Sequence, residues 1–248
     1  MVWTNTRARH ATPINLALAL VITSGAAPLA AAPLGYKNST TLKLDYSVPW
    51  STADLNHALS TRDGVGLDLN WIETETDTAN NASNGGHHGV SGTGGRSSSG
   101  SELWTVLTYT RLLKRWNGEH SQSNLWLDLG AGMARSLGNT TPELQRGALA
   151  AGVSVDTETQ RLYLAAAAKT LQAIGVARNQ ASIKAGVALS PADFERVQPW
   201  LMVEVRGMQG TTESLDVIPS LRLLHQSIVV ELGASLQGHP HISLRYLF

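Results

Sequence analysis

The stretch Ile228-Val-Val-Glu-Leu-Gly-Ala-Ser-Leu-Gln237, followed after a short break by Ile242-Ser-Leu-Arg-Tyr-Leu-Phe248, sets an apolar residue at every second position. Successive side chains of a strand point to opposite faces, so a period of two means two different surroundings on its two sides. Ile228, Val230, Leu232, Ala234 and Leu236 share one face, with Glu231, Gly233 and Ser235 on the other. Backward along the chain the same period returns in Leu215, Val217, Leu221 and Leu223, in Leu201, Val203 and Val205, and in Ile183, Ala185, Val187 and Leu189. It continues through Leu162, Leu164, Ala166 and Ala168, through Leu149, Ala151, Val153 and Val155, and through Leu125, Leu127 and Leu129. The earliest cases are Val65, Leu67, Leu69 and Trp71, and before them Leu42, Leu44, Tyr46 and Val48. Glu102 to Leu113 is also strand-like, but Trp104 and Tyr109 fall on opposite faces and leave it unoriented.

These segments run to about 9 to 12 residues, against about 5 or 6 in soluble sheets. A tilted strand of about 10 residues crosses the hydrocarbon of an outer membrane. A soluble sandwich or lipocalin-like barrel alternates too, but its second face should be rich in exposed lysine and glutamate. Here that face holds Gly66, Gly130, Gly132, Gly152, Gly186 and Gly233 with about one charge per strand, which suits a confined polar lumen. Composition agrees. Only 15% of the 248 residues are charged while 42% are hydrophobic, and soluble domains carry about a quarter charged residues. The absence of cysteine excludes disulfide scaffolds, thiolate metal sites and lipidated cysteines. With 19 basic and 19 acidic residues there is no nucleic-acid footprint.

Residues 1–32 read as a secretory signal peptide: Arg7, Arg9 and His10 in a polar start, an apolar stretch from Ile14 to Ile22, then small residues from Ser24 to Ala32. The apolar stretch is too short for a membrane-spanning helix. Cleavage between Ala26 and Ala32 removes Arg7 and Arg9 and no acid, leaving 17 basic and 19 acidic residues in the mature chain 33–248.

The ending Ile242, Leu244, Tyr246, Phe248 resembles the terminal strand of bacterial outer-membrane β-barrel proteins, which closes on an aromatic residue after alternating apolar positions. The resemblance is to a class. It implies a transmembrane antiparallel up-and-down β-barrel, bacterial outer-membrane location, outer-membrane lipid as surroundings, and recognition of that ending by the barrel-assembly machinery. It implies no cofactor and no catalytic residue.

With Phe248 at the periplasmic side, the connections counted backward alternate between outside and periplasm. Gly238 to Pro240, Gly207 to Glu213, Leu171 to Asn179, Arg135 to Glu143 and Glu75 to Ser101 fall outside. His225 to Ser227, Ser190 to Arg196, Asp156 to Thr159 and Asn117 to Ser123 fall inside. The longest connection, 75–101, has seven glycines and six serines among 27 residues and should be mobile. The count gives ten strands from Val65 onward and leaves Thr41 to Val48 as an eleventh. Bacterial single-chain barrels have even numbers. Either Leu55, His57 and Leu59 mark a further strand, making twelve, or the first segment lies outside a wall of ten.

If the apolar set meets lipid, the lumen receives Asp68, Asp128, Glu204, Asp216 and Glu231 against Arg161, Lys184, Arg206, Arg222 and Arg245. Equal numbers of each sign favour a paired network that fills the interior, hence a structural barrel or a passive, narrow channel. Two alternatives remain. His225-Gln-Ser227 and His241-Ile-Ser243 place a histidine and a serine on one strand face and resemble the His-x-Ser element of outer-membrane phospholipases and lipid A deacylases. The asparagine that usually follows is Ile228 or Leu244 here. His87 and His88 in the long connection could bind a divalent metal and make the barrel a surface or metal-binding module. Trp50, Trp71, Trp104, Trp116, Trp126 and Trp200, with Tyr36, Tyr46, Tyr109 and Tyr246, read as aromatic girdles.

Overall fold

The computed structural model describes residues 36–76, 98–137, 145–190 and 195–248. Within them the chain is a closed barrel of twelve antiparallel strands in which each strand pairs with its sequence neighbours and β1 pairs with β12. The strands are β1 (Thr40–Tyr46), β2 (Trp50–Ala58), β3 (Asp63–Thr76), β4 (Ser98–Asn117), β5 (Ser121–Leu137), β6 (Gln145–Thr159), β7 (Leu162–Ala173), β8 (Val176–Ala188), β9 (Gln198–Gln209), β10 (Leu215–His225), β11 (Ile228–Ala234) and β12 (Pro240–Leu247). The weakly alternating Leu55, His57, Leu59 region thus supplies β2, and the Thr41 segment belongs to the wall. Twelve strands is the answer, and the first segment is the seam: Thr41 faces Leu247 in register, and Phe248 exchanges both backbone hydrogen bonds with Thr40.

The two chain ends therefore meet at one end of the barrel, here called the terminal end. The connections alternate between that end and the far end. Leu171 to Asn179 is shorter than expected, because strand pairing continues to Ala173 and Val176 and leaves a two-residue turn, Ile174-Gly175. Gly175 has φ 76°, a conformation that favours glycine. Asp156 to Thr159 is strand, and the turn is Gln160-Arg161. β3 and β4 pair out to Thr76 and Ser98, so the flanks of the 75–101 stretch are strand. His87, His88 and residues 1–32, with the expected signal peptide, lie outside the described residues.

Leu107, Leu149, Ile183, Leu201, Val203, Leu232 and Ile242 stand exposed on the outer face. β4 resisted orientation for a reason visible in its packing. Trp104, Val106 and Leu112 point inward and are buried, while Leu107 on the opposite face is 69% exposed; both faces are apolar. A bulge at Leu112/Lys114 then breaks the phase. The girdle expectation is corrected for four tryptophans. Trp50, Trp104, Trp126 and Trp200 are buried inside the barrel, and only Trp71 and Trp116 are exposed outside. An indole that fills a lumen carries the same period-two signature as one that meets lipid. Three of the inward indoles donate to interior acceptors: Trp50 to Asn70 Oδ1, Trp104 to Glu102 Oε2 and Trp126 to Asp156 Oδ1.

Candidate functional site

The interior holds a cavity of about 370 Å³. Its lining runs from Glu158, Tyr163 and Arg245 near the terminal end to Trp50 and Arg206. Toward the far end, Trp50, Ile72, Trp104, Val106, Leu171 and Met208 form a buried apolar cluster. A smaller one, Ala58, Leu112 and Trp126, sits toward the terminal end.

Three links cross the lumen, each joining strands separated by three others in the wall. Lys169 Nζ on β7 reaches β3, donating to Asp68 Oδ2 and, at 2.8 Å, to Asn70 Oδ1. Arg178 on β8 grips Glu102 on β4 with two hydrogen bonds of 2.7 and 3.0 Å. Arg206 on β9 donates to Ser47 Oγ at 2.7 Å, just after β1, and lies 3.8 Å from Asp45. Between these links the wall itself is knitted. Lys184 Nζ sits 2.7 Å from Glu204 and 3.1 Å from Glu231; Arg206 holds the other oxygen of Glu204, and Arg222 the other oxygen of Glu231. Glu204, Arg206 and Glu231 are all buried.

Of the lumen charges read from the pattern, Asp68, Asp128, Lys184, Glu204, Arg206, Arg222, Glu231 and Arg245 line the cavity. Asp216 points inward beside Arg206 in the register, buried and outside the cavity lining. Arg161 is corrected: it lies in the exposed β6–β7 turn, because the alternation runs in phase past the strand end and hides where the strand stops. Six charged lining residues were missed: Lys43 and Asp45 on β1, Asp54 on β2, Asp156 and Glu158 on β6, and Lys169 on β7. The lining thus has eight carboxylates (Asp45, Asp54, Asp68, Asp128, Asp156, Glu158, Glu204, Glu231) and six cations (Lys43, Lys169, Lys184, Arg206, Arg222, Arg245), an acidic excess in place of the expected balance.

The His-x-Ser pairs are placed as follows. His241 is buried and faces the lumen, 3.9 Å from Asp45 and 3.8 Å from Glu231, and Ser243 lines the cavity. A lipid ester approaches from outside, which His241 and Ser243 do not face. His225 ends β10, and Ser227 lies in the turn after it. Among the described residues no group of three His, Asp or Glu is arranged to hold a metal ion. Ile242, Leu244, Tyr246 and Phe248 share the outer face; Ile242 and Phe248 are exposed there, and Tyr246 and Phe248 stack at 5.4 Å between ring centroids.

An up-and-down barrel that is apolar outside and polar inside inverts the plan of a soluble one. The fold is that of bacterial outer-membrane β-barrels. No protein-family model and no curated protein matches the sequence. Among solved structures it is similar to a KdgM porin, at 10% identity over 85% of this chain and 99% of that one with a TM-score of 0.38. It is similar to the KdgM porin in complex with disordered oligogalacturonate at 11% identity, with the same coverage and TM-score. It is also similar to OmpT of Vibrio cholerae with loop L8 deleted, an outer membrane protein, at 9% identity over 85% and 97% of the two chains with a TM-score of 0.30.

Proposed function

We propose that this chain works as a narrow channel-type barrel of the bacterial outer membrane, closed at rest by its own side chains. The observation that carries the reading is the set of cross-lumen links, Lys169 to Asp68, Arg178 to Glu102 and Arg206 to Ser47, inside an apolar-skinned barrel. Water and small solutes can pass a polar lumen only where such links yield, whereas an open pore would leave its lining charges solvated. In this reading residues 1–32 export the chain, and outer-membrane lipid surrounds Leu107, Leu149 and Val203. The terminal end faces the periplasm, the β3–β4 connection faces outside, and Ile242, Leu244, Tyr246 and Phe248 form the ending offered to the barrel-assembly machinery.

The test is single-channel recording of the purified protein in planar bilayers beside Arg178→Ala, which removes the β8–β4 link. Small, intermittent conductance that rises in the variant is expected. Large steady conductance of the unaltered protein would overturn the closed lumen, and silence of both folded proteins would overturn the channel.

A further inference from the structure

The connection from β9 to β10, residues 210–214, turns inward over the lumen. Met208, the last inward side chain of β9, is buried in the apolar cluster with Trp50, Ile72 and Leu171, and Thr211, Thr212 and Glu213 after it are half-buried. The Thr212 N–H donates to the carbonyl oxygen of Glu73 on β3 at 3.4 Å. In the closed wall β10 and β3 are separated by β11, β12, β1 and β2 on one side and by β4 to β9 on the other. Strands so nearly opposite meet across the mouth and not along the rim. Residues 210–214 are therefore a strap over the far end.

The strap has a pivot and two light tethers. Gly210 has φ 82°, a conformation that favours glycine, and packs on β8: an added Cβ there would fall 2.9 Å from the Ala177 carbonyl oxygen and 2.6 Å from Arg178 Nη1. Arg178 is the residue that grips Glu102 across the lumen, so the strap touches a link that closes the conduit. At its other side Glu213 Oε1 lies 3.0 Å from His239 Nδ1, in the connection from β11 to β12, with both side chains partly exposed. A partly exposed ion pair adds little, and the Thr212 bond is longer than most backbone bonds. The wall below is held more firmly, since β10 pairs with β9 without a break from Leu215 to Leu224. We propose that residues 210–214 gate the conduit: the strap turns about Gly210, releases Glu73 and His239, and in lifting uncovers Arg178, so that the link to Glu102 yields with it. This rests on the channel reading above.

The chain has no cysteine, so introduced thiols stand alone. Thr212→Cys with Glu73→Cys keeps the bond between the two residues, which uses backbone atoms only, and bis-methanethiosulfonates of graded length bridge the two thiols reversibly. Single channels are recorded in planar bilayers before bridging, after it and after reduction. Mass spectrometry scores the bridge, and heat-modifiable migration on gels scores the folded barrel. Bridging should cut the time spent open severalfold, and reduction should restore it. The unaltered protein should ignore the reagent. Glu213→Ala, which removes the tether to His239, should open more often than the unaltered protein. A bridged barrel that opens as often as the reduced one would overturn the gate. So would a folded barrel in which no length of reagent forms the bridge, because Thr212 and Glu73 are then not held together. Silence of every folded protein, bridged or not, would instead overturn the conduit and with it the reading on which the gate rests.

Discussion

The two sides of the barrel handle buried charge in opposite ways. From β8 round to β1, each inward carboxylate of the knitted network is held: Glu204 by Lys184 and Arg206, Glu231 by Lys184, Arg222 and Ser220, and Asp45 lies near Arg206. From β2 to β6 every charged lining residue is an acid: Asp68 is bridged by a lysine from β7, Asp128 and Asp156 are held by neutral donors, and Asp54 stands opposite Lys43 of β1 in the register without a hydrogen bond among the described residues. A buried ion pair is weak support for stability in itself, but removing one partner strands the other. The paired side therefore behaves as a scaffold that cannot be edited. The acidic side has no cation of its own and draws its positive charge from the strands that flank it, Lys169 on β7 and Lys43 on β1.

The largest break in this comparison should come from Lys184→Met, which leaves Glu204 and Glu231 each one cation short. Loss of a buried partner costs about 3 to 5 kcal/mol, read as a lowered midpoint of urea unfolding in phospholipid vesicles. Next comes the outer surface of the same wall. Val203→Arg, on the strand that carries Glu204, should cost about 2 to 4 kcal/mol if its face meets hydrocarbon. A cost near zero in the same assay would make that face a wet one.

Backbone packing supplies a milder contrast. At Gly132 on β5 an added Cβ would fall 2.0 Å from the Thr105 carbonyl oxygen, so β4 itself must move. At Gly152 on β6, beside the cavity, the nearest atoms are 3.5 Å away. Gly132→Ala should cost about 1 to 3 kcal/mol, as overpacking does. Gly152→Ala should stay within about 0.5 kcal/mol. Equal costs would mean that the β6 wall is no roomier than the β4–β5 seam.

The barrel was legible because its outer face is uniformly apolar: Leu201, Val203 and Val205, or Val65, Leu67 and Leu69, repeat without interruption and set the phase of each strand. The inner face was legible only where a charge stood in such a strand, as at Asp68, Lys184 and Glu231. Lys43, Asp45 and Asp54 escaped because β1 and β2 are joined by the short Ser47-Val48-Pro49 connection and β2 alternates weakly, so their place in the wall hung on an undecided strand count. Lys169 escaped for a different reason. It stands opposite the phase of Leu162, Leu164, Ala166 and Ala168, but its neighbours Ala165 to Ala168 are all small and give that phase little contrast at this end of β7. Partners across the lumen, such as Arg178 and Glu102 at a separation of 76 residues, follow from barrel closure and have no local signal.

The smallest expected effect comes from the acidic side. Asp54 faces Asp68 across the β2–β3 register and Lys43 across the β1–β2 register, and it accepts no hydrogen bond among the described residues. Like charges placed directly opposite on neighbouring strands destabilise a sheet and opposite charges stabilise it, each pair being worth about 0.2 to 1 kcal/mol. Asp54→Asn keeps the shape and removes both interactions at once, so it should move the unfolding midpoint by less than either alone, while Lys184→Met lowers it severalfold more. The same vesicle assay measures both. A loss at Asp54 as large as that at Lys184 would mean that this carboxylate is held as firmly as Glu204 and Glu231, and the two sides of the barrel would then obey one rule.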